Sequence, residues 1–225
     1  MLVSAHIAVW GTSLLKLLAA LLLLIGFAML AQRRLLTLIH LLAWQGFVLA
    51  LGTALVALLT GQTELWYSAA LTLGLKALLI PAALHRLLRR LKVRGDVEAV
   101  INIPTTLLLG IVLVIFAFSL AAPISALTGT ITRGMVGIAL AAVLLSFLMM
   151  ITRRKAISQV VGFLAMDNGL FFAATSATLG MPMIVELGVA LDALIGFVIL
   201  GIFFFQMRET FDSMDLSHLE RIREE

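Results

Sequence analysis

FLAMDNGLFFAA, residues 163–174, sets an acid in the middle of an apolar run. The apolar surroundings extend for about twenty residues, the length at which an α-helix crosses the ~30 Å hydrocarbon core of a bilayer. Asp167 therefore falls where an ionised side chain is most costly, by a few kcal/mol on insertion scales. The rest of the chain requires the same environment. Of its 225 residues, 62% are hydrophobic and 12% charged, with a mean hydropathy of +1.15. A soluble domain carries about 25% charged residues. Too little polar surface exists here to cover a water-soluble fold, so the chain reads as an all-α polytopic membrane protein.

Hydropathy gives seven spans, at 8–31, 35–60, 65–84, 104–122, 134–151, 156–179 and 183–207. Turn formers sit in the links between them, as the punctuation of TGQTE, PISALTGTITR and GMP illustrates. The opening MLVSAHIAVWGTSLLKLL lacks a basic n-region and a clear cleavage site, and reads as a retained first helix. Arg33 and Arg34 follow the first span, and Arg86, Arg89, Arg90, Lys92 and Arg94 the third. Arg153, Arg154 and Lys155 follow the fifth, and Arg208 the seventh, while the other links hold only Arg133. The positive-inside rule then predicts an outside N-terminus and a cytoplasmic C-terminus. The expected location of such a multi-pass chain is the cytoplasmic (inner) membrane of a bacterium or archaeon.

The chain divides into spans one to four (1–122), a three-span part (123–207) and a tail (208–225). The 85–103 link has room for a short basic surface helix. The tail holds three arginines against six acids. Ser217 and Glu220 have capping-box spacing. An acidic helix is repelled by anionic lipid, which favours a protein partner on the cytoplasmic side.

The composition excludes several chemistries. There is no cysteine, so this chain holds no disulfide, iron–sulfur cluster or thiolate metal site. Its four histidines are scattered, and neither a phosphate-binding glycine loop nor a zinc spacing occurs. No cofactor and no nucleic-acid partner are expected, and the chemistry should lie inside the bilayer.

Six ionisable residues fall within spans: Lys16, His40, Lys76, Asp167, Glu186 and Asp192. Such groups usually face the bundle interior or a water-filled cavity. Lys76, Asp167 and Asp192 lie near mid-depth and are the candidates for moving protons or sodium. The bland reading of the three is a buried structural ion pair. Glu186 lies near the outer interface, Lys16 within snorkelling range, and His40 near the cytoplasmic side, so these are possible relays only. Gly188, Asp192 and Gly196 form one helical stripe, and its glycines invite close helix packing. Pro81 removes a backbone hydrogen bond one turn beyond Lys76, which leaves either a kink or a carbonyl able to hold water.

TRRKAISQVVGFLAMDNGLFFAA (152–174) followed by ELGVALDALIGFVILGIFF (186–204) resembles the K-type subunit of respiratory complex I. It is similar also to the C-type subunit of multisubunit sodium/proton antiporters. In both, a basic cytoplasmic end precedes one mid-membrane acid on the second helix and another on the third. Carried over, these acids fall on Asp167 and Asp192. Aspartates replace the glutamates of those subunits here, and the link between the acid-bearing spans is shorter. MDNGLFFAATSATLGMPMIVELGVALDALIGFVILGIFF (166–204) resembles component E of hydrogenase-4, whose extra N-terminal helices this chain also has. That resemblance implies a noncatalytic membrane subunit of a membrane-bound hydrogenase or formate hydrogenlyase-like complex. Its partners would be antiporter-like membrane subunits and cytoplasmic hydrogenase-type subunits. Nickel–iron and iron–sulfur centres would then sit in those other chains.

RRLLTLIHLLAWQGFVLAL (33–51) and RRKAISQVVGFLAMDNGLFFA (153–173) each place an arginine pair before a span bearing an amide or an acid. If the halves are parallel repeats, Gln45 and Lys76 occupy the places of Asp167 and Asp192. The rival readings are a subunit of a cation/proton antiporter, a free-standing secondary transporter and a passive membrane scaffold.

Overall fold

The computed structural model describes residues 2–90, 97, 99–127 and 134–177. Their helices are α1 (Leu2–Ala31), α2 (Leu35–Thr60), α3 (Glu64–Thr72), a π-helical segment (Leu73–Leu79) and α4 (Ile80–Arg90). After these come α5 (Ile103–Leu127), α6 (Met135–Thr152) and α7 (Ala156–Ala177). Among the described residues the sole β pairing is an isolated bridge between Ala99 and Arg153. Among the described residues six stretches are long and apolar enough to cross a membrane, the third of them continuous from Glu64 to Arg89 through the π segment. This is an all-α, multi-pass membrane protein. The described helices belong to one compact unit, Met1–Gly188, and the second unit, Val189–Glu225, lies outside the described residues. The expected seventh span and the acidic tail therefore also lie outside them.

The third span runs further than its hydropathy predicts. Apolar character fades after Leu84, yet the helix continues to Arg90. Leu84, Leu87 and Leu88 are buried while Arg86 and Arg89 are exposed. An emerging helix keeps one apolar face against its neighbours and turns basic side chains to the headgroup region. The first basic residues of the 85–103 link thus extend the third span and do not start a separate surface helix.

In a bilayer, lipid tails are as apolar as leucine, so close packing and polar contacts decide which helices associate. α2 lies against α1, α3, the π segment, α4 and α7, and α6 lies against α1, α5 and α7. Glycines set the α6–α7 distance. A Cβ at Gly162 would stand 2.9 Å from Met150 Cγ, and one at Gly169 would stand 3.0 Å from Val143 Cγ2 and 3.2 Å from its backbone nitrogen. The opposite surfaces are apolar and bare, as lipid-facing helices require: Leu108, Val112 and Ile115 on α5 are all exposed. Trp10, Trp66 and Tyr67, exposed toward the α2–α3 end, supply the aromatic side chains typical of an interface. α2 closes at that end on Gly61, whose φ of 70° suits the left-handed C-cap, with its N–H donating to Ala57 O at 2.9 Å.

The other end gathers the basic links. Val97 N–H donates to Arg33 O at 2.7 Å, and Val100 N–H to Thr152 O at 2.8 Å. Short backbone bonds from 97–100 thus join the α1–α2 link to the α6–α7 link. Arg153 turns inward, with 2% exposure. Its Nη2 donates to Leu30 O at 2.6 Å and to Met29 O at 3.4 Å, capping the final carbonyls of α1 with a cation. Burial draws this guanidinium below the ordinary arginine value, though arginine stays protonated in proteins. Of the arginines that orient the chain, this one is a structural cap, while Arg33, Arg34 and Arg154 are exposed.

Candidate functional site

Lys76 and Asp167 meet at mid-bundle. Lys76 Nζ donates to Asp167 Oδ2 at 2.8 Å, and the two residues are 4% and 7% exposed. The ammonium also lies 4.8 Å from the centre of the Phe171 ring, within cation–π range. Beside the pair, Asn168 Nδ2 donates to Gln45 Oε1 at 3.2 Å. Gln45 and Asn168 are both fully buried. Three helical elements thus meet through four polar side chains: α2 brings Gln45, the π segment brings Lys76, and α7 brings Asp167 and Asn168.

Local sequence explains each placement. Pro81 has no N–H and cannot continue the hydrogen-bond ladder of the turn before it. The backbone answers by widening: Leu73–Leu79 is π-helical, and Ile80 N–H donates to Leu75 O, five residues back. π turns within α-helices recur at functional sites. Here the wide turn carries Lys76. α2 approaches it closely because residue 46 is glycine. A Cβ there would stand 2.8 Å from the carbonyl carbon of Lys76 and 2.9 Å from its oxygen. On α7, Gly162 and Gly169 lean on α6, so the intervening Asp167 and Asn168 point toward α2 and the π segment.

A buried ion pair gains Coulomb energy at the expense of desolvating both charges. It is therefore a poor device for stability alone, and losing one partner strands the other charge in a medium that cannot solvate it. At mid-bundle a carboxylate and an ammonium 2.8 Å apart are held away from solvent, and ionisable groups so placed within membrane helices are characteristic of ion pathways and proton relays.

The other sequence candidates fall in different places. Gln45 joins the site. Lys16 is exposed on α1, apart from the pair. His40 is also exposed, with its ring 6.3 Å from that of His85 on α4. It lines an open groove of about 420 Å³ with Trp44, Phe47, Leu73 and Ala77. Glu186, Gly188, Asp192 and Gly196 lie outside the described residues. Among those described, no three histidine or acidic side chains converge as metal ligands. Sequence reasoning overlooked Gly46 and Phe171, whose parts depend on contacts between distant segments. It also passed over Ser68 and Thr72, although their spacing of four residues, continued to Lys76, marks one buried helical face.

No protein-family model and no solved structure matches the chain. Among curated proteins it is 33% identical over 194 residues to the uncharacterized protein Rv0085 of Mycobacterium tuberculosis, covering 86% of this chain and 88% of that protein. It is 22% identical over 181 residues to hydrogenase-4 component E of Escherichia coli K12, covering 80% of this chain and 84% of the relative. The component E of Shigella flexneri matches to the same extent. The similarity reaches across most of each protein, so it involves the whole bundle and not one span. This multi-pass membrane protein, itself distantly similar to hydrogenase-4 component E, belongs to the family of the mycobacterial Rv0085 protein.

Proposed function

We propose that this chain is a noncatalytic membrane subunit of a hydrogenase-type complex, and that its Lys76–Asp167 pair takes part in moving protons, or sodium, across the membrane. Electron transfer would occur in other subunits, which would carry the nickel–iron and iron–sulfur centres. The observation that carries the reading is the buried 2.8 Å ion pair at mid-bundle on a π-helical turn. The distant similarity to hydrogenase-4 component E supports the setting. The likeness of 134–207 to the K-type subunit of complex I favours Asp192 as a second acid on the same path. The formate hydrogenlyase-like assembly, the antiporter-like neighbours and the cytoplasmic side of the basic links are parts of this proposal.

The test uses the intact assembly in sealed membrane vesicles. Asp167→Asn keeps the side chain's shape and removes its charge. Proton translocation should fall at least tenfold per electron transferred while the complex still assembles. Normal coupling in this variant would refute the role. The second reading, a passive scaffold, is favoured by the completeness of the ion pair itself, and predicts full coupling once folding is restored by other means.

A further inference from the structure

The bundle differs in kind on the two sides of the ion pair. Toward the α2–α3 end, Ser68 and Thr72 precede Lys76 by eight and four residues and are buried to 6% and 3% exposure. Most buried hydroxyls elsewhere among the described residues bond to their own helices, Ser158 at the basic rim being an exception. Thr53 Oγ1 donates to Leu49 O at 3.0 Å, Ser146 Oγ to Ala142 O at 2.8 Å, and Thr175 Oγ1 to Phe171 O at 3.0 Å. This is the usual behaviour of such residues within helices. Ser68 Oγ and Thr72 Oγ1 do not follow it and have no protein partner. The same holds for Nε2 of Gln45, at the site itself, for Oε1 of Gln62, in the α2–α3 link, and, at the basic rim, for Ser158 Oγ and Arg153 Nε. An unpaired buried hydroxyl is costly, and water is the usual partner that removes the penalty. Ser68 and Thr72 stand about 12 and 6 Å along the axis from Lys76, at 1.5 Å per residue, spacings that one to three waters fill.

Toward the basic end the buried lining is largely apolar. Among the described residues, Leu38 and Leu42 on α2, Leu84 on α4, and Val161 and Leu164 on α7 are buried there and apolar. The next buried polar side chain in that direction, Ser146 on α6 at the level of Gly162, spends its hydroxyl on its own helix, and Ser158, Thr152 and Arg153 sit at the rim, with Ser158 about 13 Å from Asp167 by helical rise.

We propose that water reaches the Lys76–Asp167 pair from the α2–α3 end, along Gln62, Ser68 and Thr72, and that the leucine-rich layer closes the basic end. The inference rests on the ion-handling reading of the pair and gives it a side: in this state the site exchanges with the compartment opposite the basic links.

The chain has no cysteine, so single cysteines can be read without background. Thr63→Cys, in the exposed α2–α3 link, reports which side of a sealed vesicle that end faces. Ser68→Cys and Thr72→Cys probe the path, and Leu42→Cys and Leu164→Cys probe the leucine-rich layer, each in the full chain within its native membrane. The probe is a small, charged, membrane-impermeant methanethiosulfonate added from either side. Residues 63, 68 and 72 should react from the same side, with 68 and 72 at least tenfold faster than 42 and 164. Equal rates at 72 and 42, or modification of 42 or 164 from the basic side, would overturn the proposal. Should a cysteine variant fail to accumulate, radiolytic hydroxyl-radical labelling of the unaltered protein reads the same contrast. Phe171, against the ammonium, should be labelled and Leu42 left untouched, and the reverse pattern refutes the path. Labelling needs no proton transfer, so the two ideas fail separately. A reactive residue 72 with normal coupling in Asp167→Asn removes the ion-handling role and keeps the water path. An unreactive one with lost coupling does the opposite.

Discussion

The ion pair makes a quantitative demand on folding that a double-mutant cycle can read. Lys76→Met takes the cationic partner from the buried Asp167 carboxylate, and Asp167→Leu takes the 2.8 Å anionic partner from the Lys76 ammonium. Removing one partner of a buried pair costs about 3–5 kcal/mol, whereas replacing both by apolar groups of similar size is often neutral or better. For a chain of this size 1 kcal/mol corresponds to roughly 2–4 °C in Tm. Each single variant should therefore lose on the order of 10 °C, and the double variant should return to within a few degrees of the parent. The measurement is thermal loss of the monodisperse species in mild detergent, with the four proteins handled in parallel. Additive losses in the double variant, or singles that melt with the parent, would show that the two charges do not depend on each other and would undo the site. The same double variant separates function from support. It should assemble yet fail to move protons. Full coupling in that protein would establish the passive scaffold.

Two further predictions concern the supports of the site. Gly46→Ala adds a methyl where the Lys76 peptide already stands at 2.8–2.9 Å. It should cost about 1–3 kcal/mol through overpacking and reduce coupling although no charge is altered, with Gly46→Leu worse in both assays. Arg153→Leu leaves the Leu30 and Met29 carbonyls of α1 without their cationic cap. It should lower stability by about 1–3 kcal/mol with little effect on coupling per assembled complex, and Arg153→Lys should restore only part of the loss because an ammonium lacks the guanidinium fork.

Fold class and most span positions were legible because hydropathy is a local property: a run of apolar residues must cross the bilayer whatever its neighbours are. Charge alternation in the links likewise predicts which links share an end, and the backbone bonds from Val97 to Arg33 and from Val100 to Thr152 join three of them. Local reading failed where two faces of one helix differ. Hydropathy ends the third span at Leu84, short of Arg89, because the exposed Arg86 and Arg89 outweigh the buried leucines beside them in any running average.

Sequence alone determined that Lys76 and Asp167 lie in apolar spans near mid-depth, since burial at that depth follows from span length. Tertiary structure decided that these two groups, 91 residues apart, are partners. It also decided that Gln45 meets Asn168 while Lys16 and His40 face outward. The physical reason lies in the solvent. Lipid leaves no hydrophobic bias between helices, so their pairing is set by where glycines permit contact and polar groups find one another. A proline-widened turn at Lys76 and a missing side chain at Gly46 supply that geometry, and neither has a meaning until the helices are packed.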